Sequence, residues 1–462
     1  MAVPRRHLVL AFAILAALLA GAYAASLRPW TPVADEIEYL AYARTLALSG
    51  SYAATPAGPA ADAVPGREPA YATVLAALIL IDPSLGKAVT TCLPPDASCA
   101  ALYRDIRYLN AGLIALAAVL VLLTAQVLGA TPAASLVAGS YVLLNLQMNK
   151  TATHAISDYL ALALAAALSL VLVRFAREPR RTAWLCGLAL AALVLTKAIY
   201  AGFAVLFLGG AAVHGLSRLR HRGARALVPA VTAAAIVIAA AGGWAARNVA
   251  WYGHATDSRD AIGLSGREAY DHMTSGEHAA AFLWWTRGVG ERLARQLLPE
   301  TAWHRHELYA DDGLYMQGHV HGYEARVTRL MHEKGLGRRD AEAAVSGLIL
   351  HDILADWPAY LATMPAVFYR GLWFDEFIVF GFPALCWLLV RCIRRRDGTT
   401  LLALSPGLFS LLAYAALSFN IPRYQFTAAP ALAIAAGLAA EALLQRCRVW
   451  RHNSRPISRS TE

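Results

Sequence analysis

The sequence predicts an all-α polytopic membrane protein with about ten transmembrane helices, external juxtamembrane helices and a helical external loop region. Three observations carry that prediction. Apolar residues make up 58% of the 462 residues and charged residues only 16%, which is too oily for a soluble chain of this length. The apolar residues come in runs long enough to cross a bilayer, and Lys and Arg gather in short blocks between the runs. The net charge of +10 does not indicate nucleic acid, because the basic residues form no face interleaved with aromatics.

A span needs roughly 20 apolar residues, about 17 at the least, to cross the hydrocarbon. Stretches approaching that length lie near 8–25, 108–128, 132–148, 156–174, 183–197, 198–214, 226–246, 373–393, 399–419 and 424–444. The fifth and sixth are short and meet at the polar Lys197 region. The run Tyr71–Ile81 would reach only about 16 Å as a helix and cannot cross. It is expected to lie on the outer surface or dip into it.

Basic residues cluster at Arg5 and Arg6, between Arg174 and Arg181, between Arg218 and Arg225, between Arg391 and Arg396, and from Arg446 to Arg459. Cytoplasmic loops retain positive charge, and with ten spans every cluster falls inside, together with both termini. The segments 26–107 and 247–372 are then external, and nearly all Asp and Glu residues lie in them. The expected organisation is a transmembrane module over 1–246 that includes the first external loop, a mainly helical external region over 247–372, and C-terminal helices with a basic tail over 373–462. The expected location is a bacterial inner membrane, with the chemistry facing outward.

Arg5-Arg6, the apolar run and Ala22-Tyr23-Ala24 also fit a cleaved signal peptide. The apolar core is longer than such regions usually are, so a retained helix is expected. Cys92 and Cys99 are the only cysteines placed outside. A local disulfide and two unpaired thiols both remain open there. Cys186, Cys386, Cys392 and Cys447 are read as packing residues. Neither a zinc-type cysteine spacing nor a Walker-type loop is present.

Ionisable residues sit at the outer ends of the spans: Asp158, Lys197, Arg247, Asp375, Glu376 and Arg423. Transporters and proton pumps place such residues near the midplane, so this pattern describes a site at the outer surface. After the first span comes Asp35-Glu36-x-x-Tyr39, followed by Ala43, Leu46, Gly50 and Tyr52. One reading is a capped surface helix with Asp35 as N-cap and Glu38 at the third position, worth ~1 kcal/mol. The other is a carboxylate held at the membrane surface as a general base.

That pattern resembles the start of the GT-C glycosyltransferases that use polyprenyl-phosphate sugars, the superfamily of protein O-mannosyltransferases and aminoarabinose transferases. Other segments resemble the family in order: Gly66-Arg67-Glu68-Pro69-Ala70-Tyr71, Leu195-Thr196-Lys197, Trp244 to Gly253 around Arg247-Asn248, His351 to Trp373 around Trp357-Pro358-x-Tyr360-Leu361, and Pro422-Arg423-Tyr424. Two departures stand out: Lys197 replaces the family's Arg with no Pro after it, and Glu68 occupies its first Pro position.

The resemblance implies displacement of polyprenyl phosphate from an anomeric carbon, with inversion, by an acceptor glycan, lipid or protein. Asp35 would be the base, with Glu36 as partner or substitute. Arg247 and Arg423 would bind the departing phosphate through forked hydrogen bonds, with Arg67 and Lys197 behind them and Tyr39, His154 and Asp158 completing the candidate set. For Arg247 and Arg423, interfacial snorkelling is the competing reading.

The external segment carries His254, His272, His278, His304, His306, His319, His321, His332 and His351. His304-x-His306 and His319-x-His321 are the tightest pairs, but without a known ligand set they are read as surface or acceptor-binding groups, so no metal residue is assigned and a divalent metal stays an open cofactor question. Trp284, Trp285 and Trp303 are candidates for stacking on sugar faces or for interfacial anchoring. The stretch Glu277–Leu298 is expected to form an amphipathic helix. A flippase or transporter for lipid-linked glycans is the rival class, and a glycan ligase or polymerase the enzymatic rival.

Overall fold

The computed structural model describes residues 5–53, 67–93, 95, 97–253, 255, 260–271, 273–286, 288–307 and 310–453, and every regular element among them is helical. The first ten α-helices are α1 Arg5–Ser26, α2 Asp35–Ser49, α3 Pro69–Ile81, α4 Pro83–Thr91, α5 Ile106–Val127, α6 Pro132–Leu143, α7 Leu146–Lys150, α8 Asp158–Arg177, α9 Pro179–Val194 and α10 Tyr200–Ser217.

Among the described residues seven helices are long and apolar enough to cross a membrane: α1, α5, α8, α10, Val228–Tyr252, Gly398–Leu417 and Pro422–Arg448. The protein is a multi-pass helical membrane protein. The other three of the ten stretches pack in the same bundle but are shorter or more charged. α6 stops after 12 residues, because Asn145 turns the chain and accepts the Met148 amide at 3.0 Å to start α7. The stretch 132–148 is therefore broken rather than continuous. α9 has 16 residues, and Ile378–Arg395 ends on Arg391, Arg394 and Arg395.

α3 ends where Pro83 opens α4, and the pair bends by 112°. The Asp82 carboxylate accepts the Ser84 amide at 2.9 Å and caps the second helix, so the short apolar run does not pass straight through, as its length required. Cys92 and Cys99 form a disulfide across the loop that follows α4.

Small residues set how closely the spans approach. A Cβ on Gly437 would lie 2.8 Å from the Ala134 carbonyl, and one on Gly407 2.6 Å from the Ala431 methyl. Small residues at such contacts let backbones touch where lipid removes the hydrophobic incentive to pack. Phe12, Ala16, Ala20 and Ala24 of α1 bury into the same core as Ile114, Ala118 and Leu122 of α5.

The described part of the segment 247–372 builds two apolar clusters against the bundle. One gathers Tyr270, Trp284, Trp285, Trp303 and Val367 around Phe419, which belongs to the turn between the last two spans. The other gathers Tyr323, Val327, Leu330, Val345 and Ile349. The buried Arg267 pins the region down, donating to Asp271 at 2.6 Å, the Ala415 carbonyl at 3.1 Å and the Tyr360 carbonyl at 2.5 Å. The stretch Glu277–Leu298 is not one helix. It forms Ser275–Trp284 and Gly290–Leu297, broken around Gly288 with φ at +78°. A Cβ on Gly290 would fall 2.0 Å from the Leu283 carbonyl, so only glycine permits that fold-back.

Candidate active site

Asp35 is the first residue of α2, not its N-cap. Ala34 holds the cap position with φ at 46° and no side-chain cap bond. With no amide to accept from, the Asp35 carboxylate turns to two guanidinium groups. Oδ1 accepts from Arg67 Nη2 at 2.7 Å and Oδ2 from Arg423 Nη2 at 3.0 Å. These partners lie 32 and 388 residues away in the chain. Arg67 Nε also donates to Glu38 Oε2 at 2.7 Å, one helical turn along α2. Burial by itself would raise the Asp35 pKa, but the charges of Arg67, Arg423 and Lys197 together outweigh it and hold the carboxyl below its usual 3.8.

The turn that presents Arg423 is fixed by a buried polar knot. Gln425 Nε2 donates to Asn420 Oδ1 at 2.7 Å, Asn420 Nδ2 donates to the Val367 carbonyl at 2.9 Å, and Ser410 Oγ donates to Gln425 Oε1 at 3.1 Å. Asn420 sits at φ 49°. Two of the three described non-glycine residues with positive φ thus flank the site, at Ala34 and Asn420. Backbone strain of this kind concentrates where surrounding structure holds a functional geometry. Arg423 Nε is buried and has no hydrogen-bond partner among the described residues, which leaves a donor unspent beside Asp35.

The second charged pair continues the row. Lys197 Nζ donates to Asp158 Oδ1 at 2.8 Å and stands 5.6 Å from the Tyr424 ring, next to Arg423. Glu68, the departure at the family's Pro position, accepts the Ala198 amide at 2.9 Å. It ties the loop carrying Arg67 to the turn carrying Lys197.

Glu36 does not sit with Asp35. Its side chain is 4% exposed, and its two oxygens accept from Trp30 Nε1 at 3.1 Å, His154 Nδ1 at 2.8 Å and the Ala155 amide at 3.0 Å. A helix turns successive residues about 100° apart, so Asp35 and Glu36 face different neighbours. Glu36 locks the turn before α8 against α2, and His154 is its partner there. Asn110 secures the same turn by donating to the Ala152 and His154 carbonyls at 2.8 Å each. Tyr39 is buried and donates to Ser157 Oγ at 3.0 Å.

Arg247 is brought close but not into the ion-pair row. Its guanidinium lies 4.6–5.5 Å from the rings of Tyr52, Trp244, Trp251 and Tyr252, and donates to Asn248 Oδ1 at 2.9 Å and to the Tyr52 carbonyl. Tyr52 in turn donates its hydroxyl to the Arg67 carbonyl at 2.7 Å. Arg247 therefore stands one aromatic residue behind Arg67.

No cluster of three or more metal-type ligands occurs among the described residues. His254 and His272 lie outside the described residues, as does the side chain of His319. His304 pairs with Glu307 at 3.3 Å and Asp312 at 3.1 Å. His306 is buried and lines a separate cavity of about 960 Å3 together with Trp284, Trp285, Arg370 and Pro422. Asp375 is also buried, accepting from Asn145 Nδ2 at 3.0 Å and the Phe377 amide at 2.9 Å.

Sequence reasoning missed Glu38 as the second acid on Arg67, and the wall of the cavity beyond the tryptophans. The spacing of Asp35 and Glu38, three residues apart on one helical face, carried the first signal. The second had none, since Arg370 and Trp373 meet His306 only through tertiary folding.

No family model matches the chain, and no curated protein does either. Among solved structures the chain is similar to the Archaeoglobus fulgidus oligosaccharyltransferase, crystallised tethered to an acceptor peptide containing an NVT sequon, with 13% identity and a TM-score of 0.45. The match covers 97% of this chain and 51% of that one, so the chain spans about half the length of that protein.

Proposed function

We infer that the protein is a membrane glycosyltransferase that moves a sugar from a polyprenyl-phosphate donor to an acceptor hydroxyl or amine at the outer face of a bacterial inner membrane. The observation that carries this reading is the Asp35 carboxylate gripped by Arg67 and Arg423, with the buried Arg423 Nε unspent. Two needs of the chemistry meet in that one cluster: a base for the nucleophile and cations for a departing phosphate.

The resting charges balance. Asp35, Glu38 and Asp158 face Arg67, Arg423 and Lys197. A donor phosphate entering the cluster competes for the same guanidinium groups, which bind phosphate oxygens as well as carboxylates. As Arg67 and Arg423 turn toward phosphate, Asp35 loses the charges that depress its pKa and becomes a stronger base. The acceptor O–H or N–H proton passes to Asp35, the acceptor atom bonds to the anomeric carbon, and the carbon–oxygen bond to phosphate breaks. Polyprenyl phosphate leaves with an added negative charge on the arginines. Attack from the face opposite the leaving group inverts the anomeric centre. In this scheme Glu36, Tyr39 and His154 position α2 and carry no proton, and Arg247 holds the loop behind Arg67.

The test is transfer of radiolabelled sugar from a panel of polyprenyl-phosphate sugars in membranes containing wild type, Arg423→Gln or Arg67→Gln at matched levels. Each variant should retain less than about a tenth of wild-type transfer, the loss expected for one charged phosphate contact. Undiminished transfer by both variants, or accumulation of lipid-linked glycan on the inner leaflet after deletion, would favour the transporter reading instead.

A further inference from the structure

Two helices of the segment 247–372, Arg338–Ala355 and Trp357–Leu372, meet at a corner where the Asp356 carboxylate accepts the Ala359 amide at 3.4 Å. Across that corner Leu350, Leu354, Trp357 and Leu361 follow one another at helical spacing, each between 49% and 64% exposed. The opposite faces are buried. Val345, Ile349 and Ile353 pack into the cluster around Tyr323, and Thr363, Ala366 and Val367 turn inward. Trp357–Leu372 carries a single charged residue, the buried Arg370, while Pro358, Ala362 and Pro365 lie open beside Leu361. A helix facing water carries polar residues on its open side, and a contiguous apolar stripe marks a surface that something covers.

Hydrogen bonds fix how deep the stripe sits. Arg267 Nε donates to the Ala415 carbonyl at 3.1 Å and its Nη2 to the Tyr360 carbonyl at 2.5 Å, so Tyr360 lies level with the last turn of the span Gly398–Leu417. Further along, the Val367 carbonyl accepts Asn420 Nδ2 at 2.9 Å, and Arg370 Nη1 donates to the Phe419 carbonyl at 3.2 Å. The helix therefore climbs beside the end of that span and into the loop beyond it. Trp357 precedes Tyr360 by three residues and lies about 4.5 Å deeper. The span has 20 residues and reaches about 30 Å, the thickness of the hydrocarbon, so its last turn stands where acyl chains give way to headgroups. At that depth the span's own exposed side chains, Leu412 and Leu417, meet lipid. An apolar stripe beside them at the same depth meets it too, and Trp favours this boundary. His351, Asp352 and Asp356 are exposed around the corner and keep it at headgroup level, since charge is costly nearer the bilayer centre.

We propose that the corner carrying Leu350, Leu354, Trp357 and Leu361 is a membrane-seated wedge, inserted at the headgroup–acyl boundary of one leaflet of the bilayer. This seat goes beyond the transferase reading and does not depend on it. It bears on the candidate site all the same, because Val367 of the wedge helix holds Asn420 in the knot that presents Arg423. The bilayer thereby sets the height of the helix from which that turn is hung.

The experiment is nitroxide labelling of the full-length protein in phosphatidylcholine liposomes, with Cys386→Ser and Cys447→Ser removing the exposed thiols. Labels are placed at Leu354→Cys, Trp357→Cys and Leu361→Cys. Leu412→Cys is the lipid reference, and Asp340→Cys, some 20 Å back along Arg338–Ala355, is the water reference. Power saturation compares collisions with oxygen, which concentrates in lipid, against a nickel chelate, which stays in water on both sides of the membrane. At the stripe positions the oxygen-to-nickel ratio should exceed that at Asp340→Cys severalfold and match that at Leu412→Cys. All three positions are exposed, so the test stays readable if one variant fails to fold. Nickel-dominated relaxation like that of Asp340→Cys would put the corner in water and overturn the proposal. Exclusion of both colliders with dipolar broadening between labels would reveal a second copy on the stripe and overturn it as well.

Discussion

At the scale of single residues, the pair Asp35-Glu36 shows how neighbours in sequence divide their work. Glu36 accepts three hydrogen bonds in a buried corner, so Glu36→Ala strands the Trp30, His154 and Ala155 donors and should cost on the order of 3 kcal/mol of stability, read as a lowered thermal midpoint. Glu36→Gln keeps one acceptor oxygen and should recover part of it. Asp35 behaves differently because it is half-exposed and its pKa is lowered. A depressed carboxyl contributes stability that is present above its unfolded value and lost as pH falls through the folded one. The midpoint gap between wild type and Asp35→Asn should therefore be flat from about pH 5 to about pH 8 and close below about pH 4.

His306 has a consequence of the same sign, beginning at higher pH. Its folded pKa of about 4 lies below the usual 6.5, so the unfolded chain binds the proton first and acidification between these values destabilises the fold. The loss should reach on the order of 3 kcal/mol and vanish in His306→Phe, measured by thermal unfolding at stepped pH. The sequence singled out Asp35, Arg67 and Arg423 from short motifs and from the rarity of charge at span ends, and the fold brings these three side chains together. The buried pairing of Glu36 with Trp30 and His154, and of Tyr39 with Ser157, was not legible in the sequence, because which face of α2 meets which turn is a tertiary fact.

At the scale of elements, the apolar runs were legible and their ends were not. Hydropathy sees that 132–148 is oily but not that Asn145 caps a new turn and breaks it. It likewise misses that Gly288 and Gly290 fold Glu277–Leu298 back on itself. The open question at Cys92 and Cys99 closed in favour of the bond because α4 and the following turn pack Leu85, Val89, Cys99 and Tyr103 into one cluster. Cross-linking so short a loop should contribute about 2–3 kcal/mol through the unfolded state. Cys99→Ser should lower the midpoint accordingly, and alkylation before and after reduction should count two additional thiols in wild type. Gly437→Val drives side-chain atoms into the Ala134 backbone and should cost about 1–3 kcal/mol, where Gly437→Ala costs less.

At the scale of the whole molecule, the bundle brings the start of α2, the loop at Arg67, the turn at Lys197 and the turn at Arg423 to one end. Helix order and the positive clusters anticipated that convergence, since every one of these segments fell on the same predicted side. The cavity lined by Trp284, Trp285 and His306 was beyond sequence reasoning, because its lining is assembled from five separated stretches of chain.

The most direct measurement is transfer of labelled sugar from a polyprenyl-phosphate donor by wild type, Asp35→Asn and Asp35→Glu in membranes at matched protein levels. Loss of at least about a hundredfold in Asp35→Asn, the usual scale for removing a general base, with partial recovery in Asp35→Glu, is the predicted result. Equal transfer by wild type and Asp35→Asn would contradict the assignment of Asp35 as the base.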